Sequence, residues 1–236
     1  MDKLLNQLIE KLQKAYGDAL VSVVLYGSAV TGDPHKKFSD LNVLCVLGEI
    51  TPRELAASEP AFRWWREQGN PSPLLLTERE LNTSTDCFAI EFRDIKRHSR
   101  VLYGKDVIAD LALDDSFYRA QVEHDLRAKL LRLRQKACGT LSDADAMRRL
   151  LLDSVSTFCA LFRHALVLHG IAAPATKREV VASAKEAFAF DPAVFETLLD
   201  VREGRLKARE MDPAKLLGPY LDAISTVIEA VDRLDK

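Results

Sequence analysis

An apolar run ends at Tyr26-Gly27-Ser28, and twelve residues after Ser28 an aspartate, Asp40, opens the next apolar run. A strand ending in Gly-Ser lets the backbone approach a ligand closely, and the hydroxyl can bond an anion. Asp40 and Asn42 are two residues apart, so on a strand both point to one face, away from Leu41 and Val43. A carboxylate at the head of an apolar strand is costly to bury unless it meets a cation such as Mg²⁺ or a hydrogen-bond donor. The chemistry these residues suggest is an anion held at Gly27-Ser28 beside a hard metal ion held at Asp40.

A further carboxylate is found in Phe88-Ala89-Ile90-Glu91-Phe92-Arg93-Asp94. Alternation there predicts a strand over Phe88–Ile95, with Phe88, Ile90 and Phe92 on one face. Glu91 then shares the other face with Ala89 and Arg93, which suits the wall of a metal site. Asp94 is the weaker choice, because on a strand it points the opposite way.

Other elements must hold these residues in place. Leu4, Leu5, Leu8, Ile9 and Leu12 recur at helical spacing and predict an opening helix. Val21–Tyr26 and Leu41–Leu47 read as buried strands, each stopped by a glycine. Thr51-Pro52-Arg53-Glu54 starts a helix over Thr51–Gln68, which Pro60 should kink or divide. Pro73–Leu76 reads as another strand, and Thr77-Glu78-Arg79-Glu80 caps a short helix after it. Beyond Asp115 nearly everything has helical period, with breakers at Gly139, Gly170, Pro192, Gly204 and Pro213. The expected class is α+β: a small mixed-sheet domain over residues 1–110 and an all-helical bundle over 111–236. The join is expected near Gly104–Asp115.

Composition narrows the function classes. The 236 residues are 47% hydrophobic, enough for a sizeable core, and 33 basic against 35 acidic residues leave a net charge of −2. That balance gives no general pull toward nucleic acid or anionic lipid, so neither a nucleic-acid nor a membrane partner is expected. No run approaches the ~20 apolar residues of a membrane span. The N-terminal stretch reads as an amphipathic helix rather than a leader, and the four cysteines lack C-x-x-C spacing. Most of them sit among apolar neighbours and are expected to be buried free thiols in a cytoplasmic protein.

The segment Leu25-Tyr26-Gly27-Ser28-Ala29 running on to Phe38-Ser39-Asp40-Leu41-Asn42-Val43-Leu44 resembles the nucleotidyltransferase superfamily typified by DNA polymerase beta and the aminoglycoside nucleotidyltransferases. The resemblance covers the first hundred residues and rests on Gly-Ser, the spacing, and the flanking strands. It implies that Gly27 and Ser28 hold the triphosphate of an NTP, ATP being the expected co-substrate. It also implies that Asp40 and Glu91 hold two Mg²⁺ ions, while an acceptor hydroxyl attacks the α-phosphate and expels pyrophosphate. Asn42 stands where active members have a second carboxylate. Its amide oxygen can still coordinate, but the site loses one negative charge. The implied function is therefore nucleotidyl transfer to a small hydroxylated acceptor. The alternative is a degenerate nucleotide-binding or partner-binding module, and an RNA-directed transferase is disfavoured by the charge balance. Leu102-Tyr103-Gly104 resembles segments that close the catalytic domain in bacterial members. The helical half more loosely resembles the substrate-binding domain of small-molecule members.

Several residues have both a plain and a functional reading. His35-Lys36-Lys37, in the loop before Asp40, could touch phosphates but reads first as exposed loop charge. Lys129, Arg132 and Lys136 share one helical face that could receive an acidic substrate, the triphosphate or an RNA backbone, but the balanced total charge favours a solvated face. At least one of Trp64 and Trp65 should pack on the sheet. His164 and His169 are read as structural, and Thr176 with Glu179 as another capping box.

Overall fold

The computed structural model describes residues 1–30 and 41–234 and, of Ser28, the backbone only. The chain divides into two compact units, Met1–Phe117 and Tyr118–Lys236.

The first unit is built on a four-stranded sheet of β1 (Leu20–Tyr26), β2 (Asn42–Leu47), β3 (Leu74–Thr77) and β4 (Ser99–Gly104), in the order β3-β2-β1-β4. β1 runs antiparallel to both β2 and β4, and β2 runs parallel to β3. The even side-chain period assigns Val23, Leu25, Val43, Cys45 and Leu47 to one face and Val24, Leu44 and Val46 to the other. Helices α1 (Asp2–Tyr16) and α2 (Pro52–Glu67) cover the first face with Leu5, Leu8, Leu12, Ala61 and Trp65. Trp65 is fully buried there, while Trp64 stays partly exposed under the Lys11 ammonium, 4.9 Å from its ring centre. Both capping boxes of this unit form: Thr51 N–H donates to Glu54 Oε2 at 3.1 Å and Thr77 N–H to Glu80 Oε2 at 2.8 Å. The second box starts α3 (Glu78–Thr83). α2 is not divided at Pro60, which lies inside one continuous helix.

The other sheet face corrects the expectation for Phe88–Ile95. That segment is the start of a helix, α4 (Ala89–Arg97), and not a strand. Ala89, Phe92 and Ile95, three apart, are all buried, and Phe92 and Ile95 pack on Val24, Leu44 and Val46. Phe88, Ile90 and Phe92 satisfy the strand period over five residues, but Ile95 fits only the helical one. The fourth strand is instead Ser99–Gly104, which follows that helix. At its end Gly104 has φ +76°, and an added Cβ would run into the Val21 carbonyl. Only glycine fits so close an approach, which accounts for the Tyr-Gly closure physically. Val107, Ile108 and Leu111 then complete the same apolar layer, before the first unit ends at Phe117.

The second unit contains α5 (Tyr118–Cys138), α6 (Ala144–Leu168), α7 (Lys177–Phe188), α8 (Ala193–Arg202) and α9 (Pro213–Asp232). α5 buries Tyr118, Val122, Leu126, Leu130, Leu133 and Ala137, an unbroken stripe at helical spacing. Phe162, Phe195 and Tyr220 form an aromatic centre, with ring centroids 5.1 Å and 5.0 Å apart in successive pairs. Asp143 caps α6, and the expected Thr176–Glu179 box caps α7. By length and composition α6 could cross a bilayer, but its Leu151, Val155, Phe158 and Phe162 are buried within this unit. His164 is buried, its Nδ1 2.8 Å from the Tyr118 hydroxyl, and His169 packs edge-on against Phe188. Both histidines are structural, as expected. Of the cysteines, Cys45 and Cys159 are buried, but Cys87 and Cys138 are exposed.

Candidate functional site

The strand directions determine where the site residues meet. Because β1 is antiparallel to both neighbours, its last residue lies beside the first residues of β2 and β4. Tyr26 accordingly pairs with Asn42 on one side and Ser99 on the other. Gly27 leaves the strand with φ +80° and enters a short 3-10 turn over Gly27–Ala29. Its N–H donates to the His98 carbonyl at 2.9 Å, and its carbonyl accepts from Val30 N–H at 3.0 Å. A Cβ built on Gly27 would lie 3.4 Å from Asn42 Nδ2. Gly27 and Asn42, expected from the sequence to share a site, are therefore direct neighbours. Asp40, the side chain of Ser28, and the loop residues His35, Lys36 and Lys37 lie outside the described residues.

Glu91 reaches this end of the sheet by a different route from the one expected. It is exposed, in the first turn of α4. Burial, and after it the Glu91 charge, raise the Tyr26 phenol above its usual range. Tyr26 packs with the apolar layer that α4 covers, and by strand period Asn42 points to the same face as Leu44 and Val46. Tyr26 of β1 and Asn42 of β2 are thus paired on one face at one end of the sheet, and the Glu91 charge of α4 acts on Tyr26. The helix also changes the relation of Glu91 to Asp94. On a strand they would point opposite ways, whereas three residues apart on α4 they are neighbours along one side.

Asn70 was not expected at the site. The Leu41 N–H, immediately after Asp40, donates to Asn70 Oδ1 at 3.2 Å across 29 residues of sequence. Asn70 Nδ2 is buried without a hydrogen-bond partner among the described residues. Gly69-Asn70-Pro71 reads locally as a turn, and nothing in its spacing indicates that it would reach β2.

Among the described residues, no group of three or more His, Cys, Asp and Glu side chains is placed to hold a metal ion. Asn42 offers an amide oxygen and Glu91 a carboxylate, both oxygen donors of the type a hard cation prefers.

No protein-family model and no curated protein matches the chain. Among solved structures, it is similar to the spectinomycin adenyltransferase AAD(9) of Enterococcus faecialis, crystallised with ATP and spectinomycin. The two are 15% identical and superpose with a TM-score of 0.63 over 99% of this chain and 100% of that one. At that identity the likeness is one of fold alone, along the full length of both chains.

Proposed function

We propose that the chain is a nucleotidyltransferase, moving a nucleoside monophosphate from an NTP, ATP first, to a hydroxyl of a small-molecule acceptor. What most supports this is that Gly27 adjoins Asn42, and that the Glu91 charge acts on Tyr26 just before Gly27, in a chain with the fold of an adenyltransferase. With no side chain at Gly27, a triphosphate could approach the chain closely there. Asp40 and Glu91 would hold Mg²⁺, with the Asn42 amide completing the set. Bound there, the ion would neutralise phosphate charge and favour the pyrophosphate leaving group. The acceptor oxygen would bond to the α-phosphorus as the bond to the pyrophosphate oxygen breaks, and the hydroxyl proton would pass to the Glu91 carboxylate.

A second reading is favoured by one observation, the amide at Asn42 where a second carboxylate would be expected. With one negative charge fewer, the fold would serve as a nucleotide-binding or partner-binding module without transfer. Pyrophosphate release with Mg²⁺, labelled NTPs and a panel of acceptors, measured for wild type, Asp40→Ala and Asn42→Asp, separates the two. Turnover in wild type that Asp40→Ala abolishes supports the enzyme. Metal-independent NTP binding with no gain from Asn42→Asp supports the module. If none of the forms binds a triphosphate, the transferase and the nucleotide-binding module both fail.

A further inference from the structure

The second unit has a groove of about 210 Å³ between α5 and α6. Lys129, Arg132 and Lys136 of α5 line one side, and Asp153, Ser154 and Thr157 of α6 the other, over Leu133, Leu150 and Phe158. Positions 129, 132 and 136 follow the helical repeat, so the three cations face one way. They are exposed, and among the described residues none of them is in an ion pair.

Other cations of the same helix are treated differently. Arg119 and Arg127 both pair with Glu123, and Arg127 also with Asp232. Like charges at Lys129–Arg132 and Arg132–Lys136 repel one another across a single turn. The helix dipole favours a cation only in the last turn, which covers Lys136 but neither Lys129 nor Arg132. Stability of the helix therefore gives no reason to cluster three cations here, whereas a bound anion would. Asp153 leaves the groove with two net positive charges. Thr157 adds an exposed hydroxyl donor, and Leu150 and Phe158 an apolar floor.

We propose that this groove binds a phosphate-bearing small molecule, its phosphate held by Arg132 with Lys129 and Lys136 and its less polar body resting on Leu150 and Phe158. Arg132 supplies a planar fork that matches phosphate oxygens two at a time, and the lysines act as point charges on either side. The volume equals the liquid share of about seven waters, room for a compact metabolite and too small for a folded polymer. An amine-bearing ligand would be repelled by the same three charges. Every residue of the assignment belongs to the second unit.

The test is calorimetric titration of the full chain with inorganic pyrophosphate at low salt, in EDTA so that no metal-held phosphate contributes. Wild type should bind, and Arg132→Ala/Lys136→Ala should weaken binding at least about tenfold while far-UV circular dichroism and the melting temperature stay unchanged. Lys185→Ala/Lys207→Ala, which removes the same charge from exposed positions elsewhere in this unit, should bind like wild type. Absence of binding in wild type, equal binding in the groove variant, or equal loss in the control would overturn the proposal. So would tighter binding of a short single-stranded oligonucleotide through the same residues. Pyrophosphate binding that survives when Mg²⁺-dependent NTP binding is absent leaves the groove standing and removes only the nucleotidyltransferase reading.

Discussion

Asn70 accepts the backbone N–H of Leu41, tying the loop before β3 to the residue that follows Asp40. Leu41 is buried, and its amide needs a partner because β2 begins only at Asn42. The first prediction follows from this bond. Asn70→Leu should cost about 1 kcal/mol of stability, the usual value of one such hydrogen bond. Its larger effect should be on NTP binding, because the backbone beside Asp40 loses its anchor. Asn70→Asp retains the acceptor oxygen and should recover most of the binding. Equal NTP affinity in wild type and Asn70→Leu, measured by calorimetry, would show that the bond is structural only.

Such a tie is the kind of feature sequence periodicity does not carry. β1 and β2 were legible because their apolar runs are long, β-rich and stopped by Gly27 and Gly48. Three capping boxes were legible because a hydroxyl and a glutamate three residues apart are a local signal. The helix over Ala89–Arg97 was not, because Phe88, Ile90 and Phe92 mimic a strand and only tertiary packing of Phe92 and Ile95 settles the matter. Glu91 could therefore be singled out as a candidate carboxylate, but its element was misread, and with it the relation of Glu91 to Asp94. The partial charge balance across α5 was also invisible: which cations pair and which do not depends on Glu123 and Asp232.

Glu91 and Tyr26 provide a test of the site that does not depend on turnover. Burial raises the Tyr26 phenol first, and the nearby Glu91 charge raises it further. Glu91→Gln removes the second contribution and leaves the first. The Tyr26 pKa should therefore fall but remain above the usual 10.0, read by NMR of ring-labelled tyrosine. A saturating Mg²⁺ concentration should lower it likewise, by neutralising the same carboxylate. An unchanged Tyr26 titration in Glu91→Gln would place Glu91 away from the sheet face and remove it from the site.

Gly104 offers a stability prediction. Its φ of +76° and the approach of Val21 leave no room for a methyl group. Gly104→Ala should shift β4 against β1 and cost about 1–3 kcal/mol, the range for overpacking a tight site. Gly48→Ala, with nothing within 4 Å of the added Cβ, is the comparison and should be far milder. Matching denaturation midpoints for the two variants would contradict the close approach of β1 and β4.

The buried thiols set an alkaline limit on stability. Burial pushes both Cys45 and Cys159 up to about 12 from the usual 9.0. In the unfolded chain they ionise near that usual value, while in the fold they stay protonated. Their contribution is thus fully present below pH 9 and is lost as pH rises toward 12, at up to about 1.4 kcal/mol per pH unit for each thiol. Urea denaturation between pH 8 and pH 9, before ionisation of Tyr16, Tyr26 and Tyr220 in the unfolded chain near 10.0 adds to the effect, should show stability falling with pH. Cys45→Ala and Cys159→Ala should each lower the overall stability and flatten that fall. A thiol reagent adds an independent reading. Two cysteines should react in the native protein and four in denaturant, with Cys138 ahead of Cys87, whose thiolate is disfavoured by its hydrogen bond to and charge repulsion from Asp86. Four thiols reacting at once without denaturant, or a pH slope unaffected by either alanine, would show that the two apolar layers around Cys45 and Cys159 open far more readily than their packing implies.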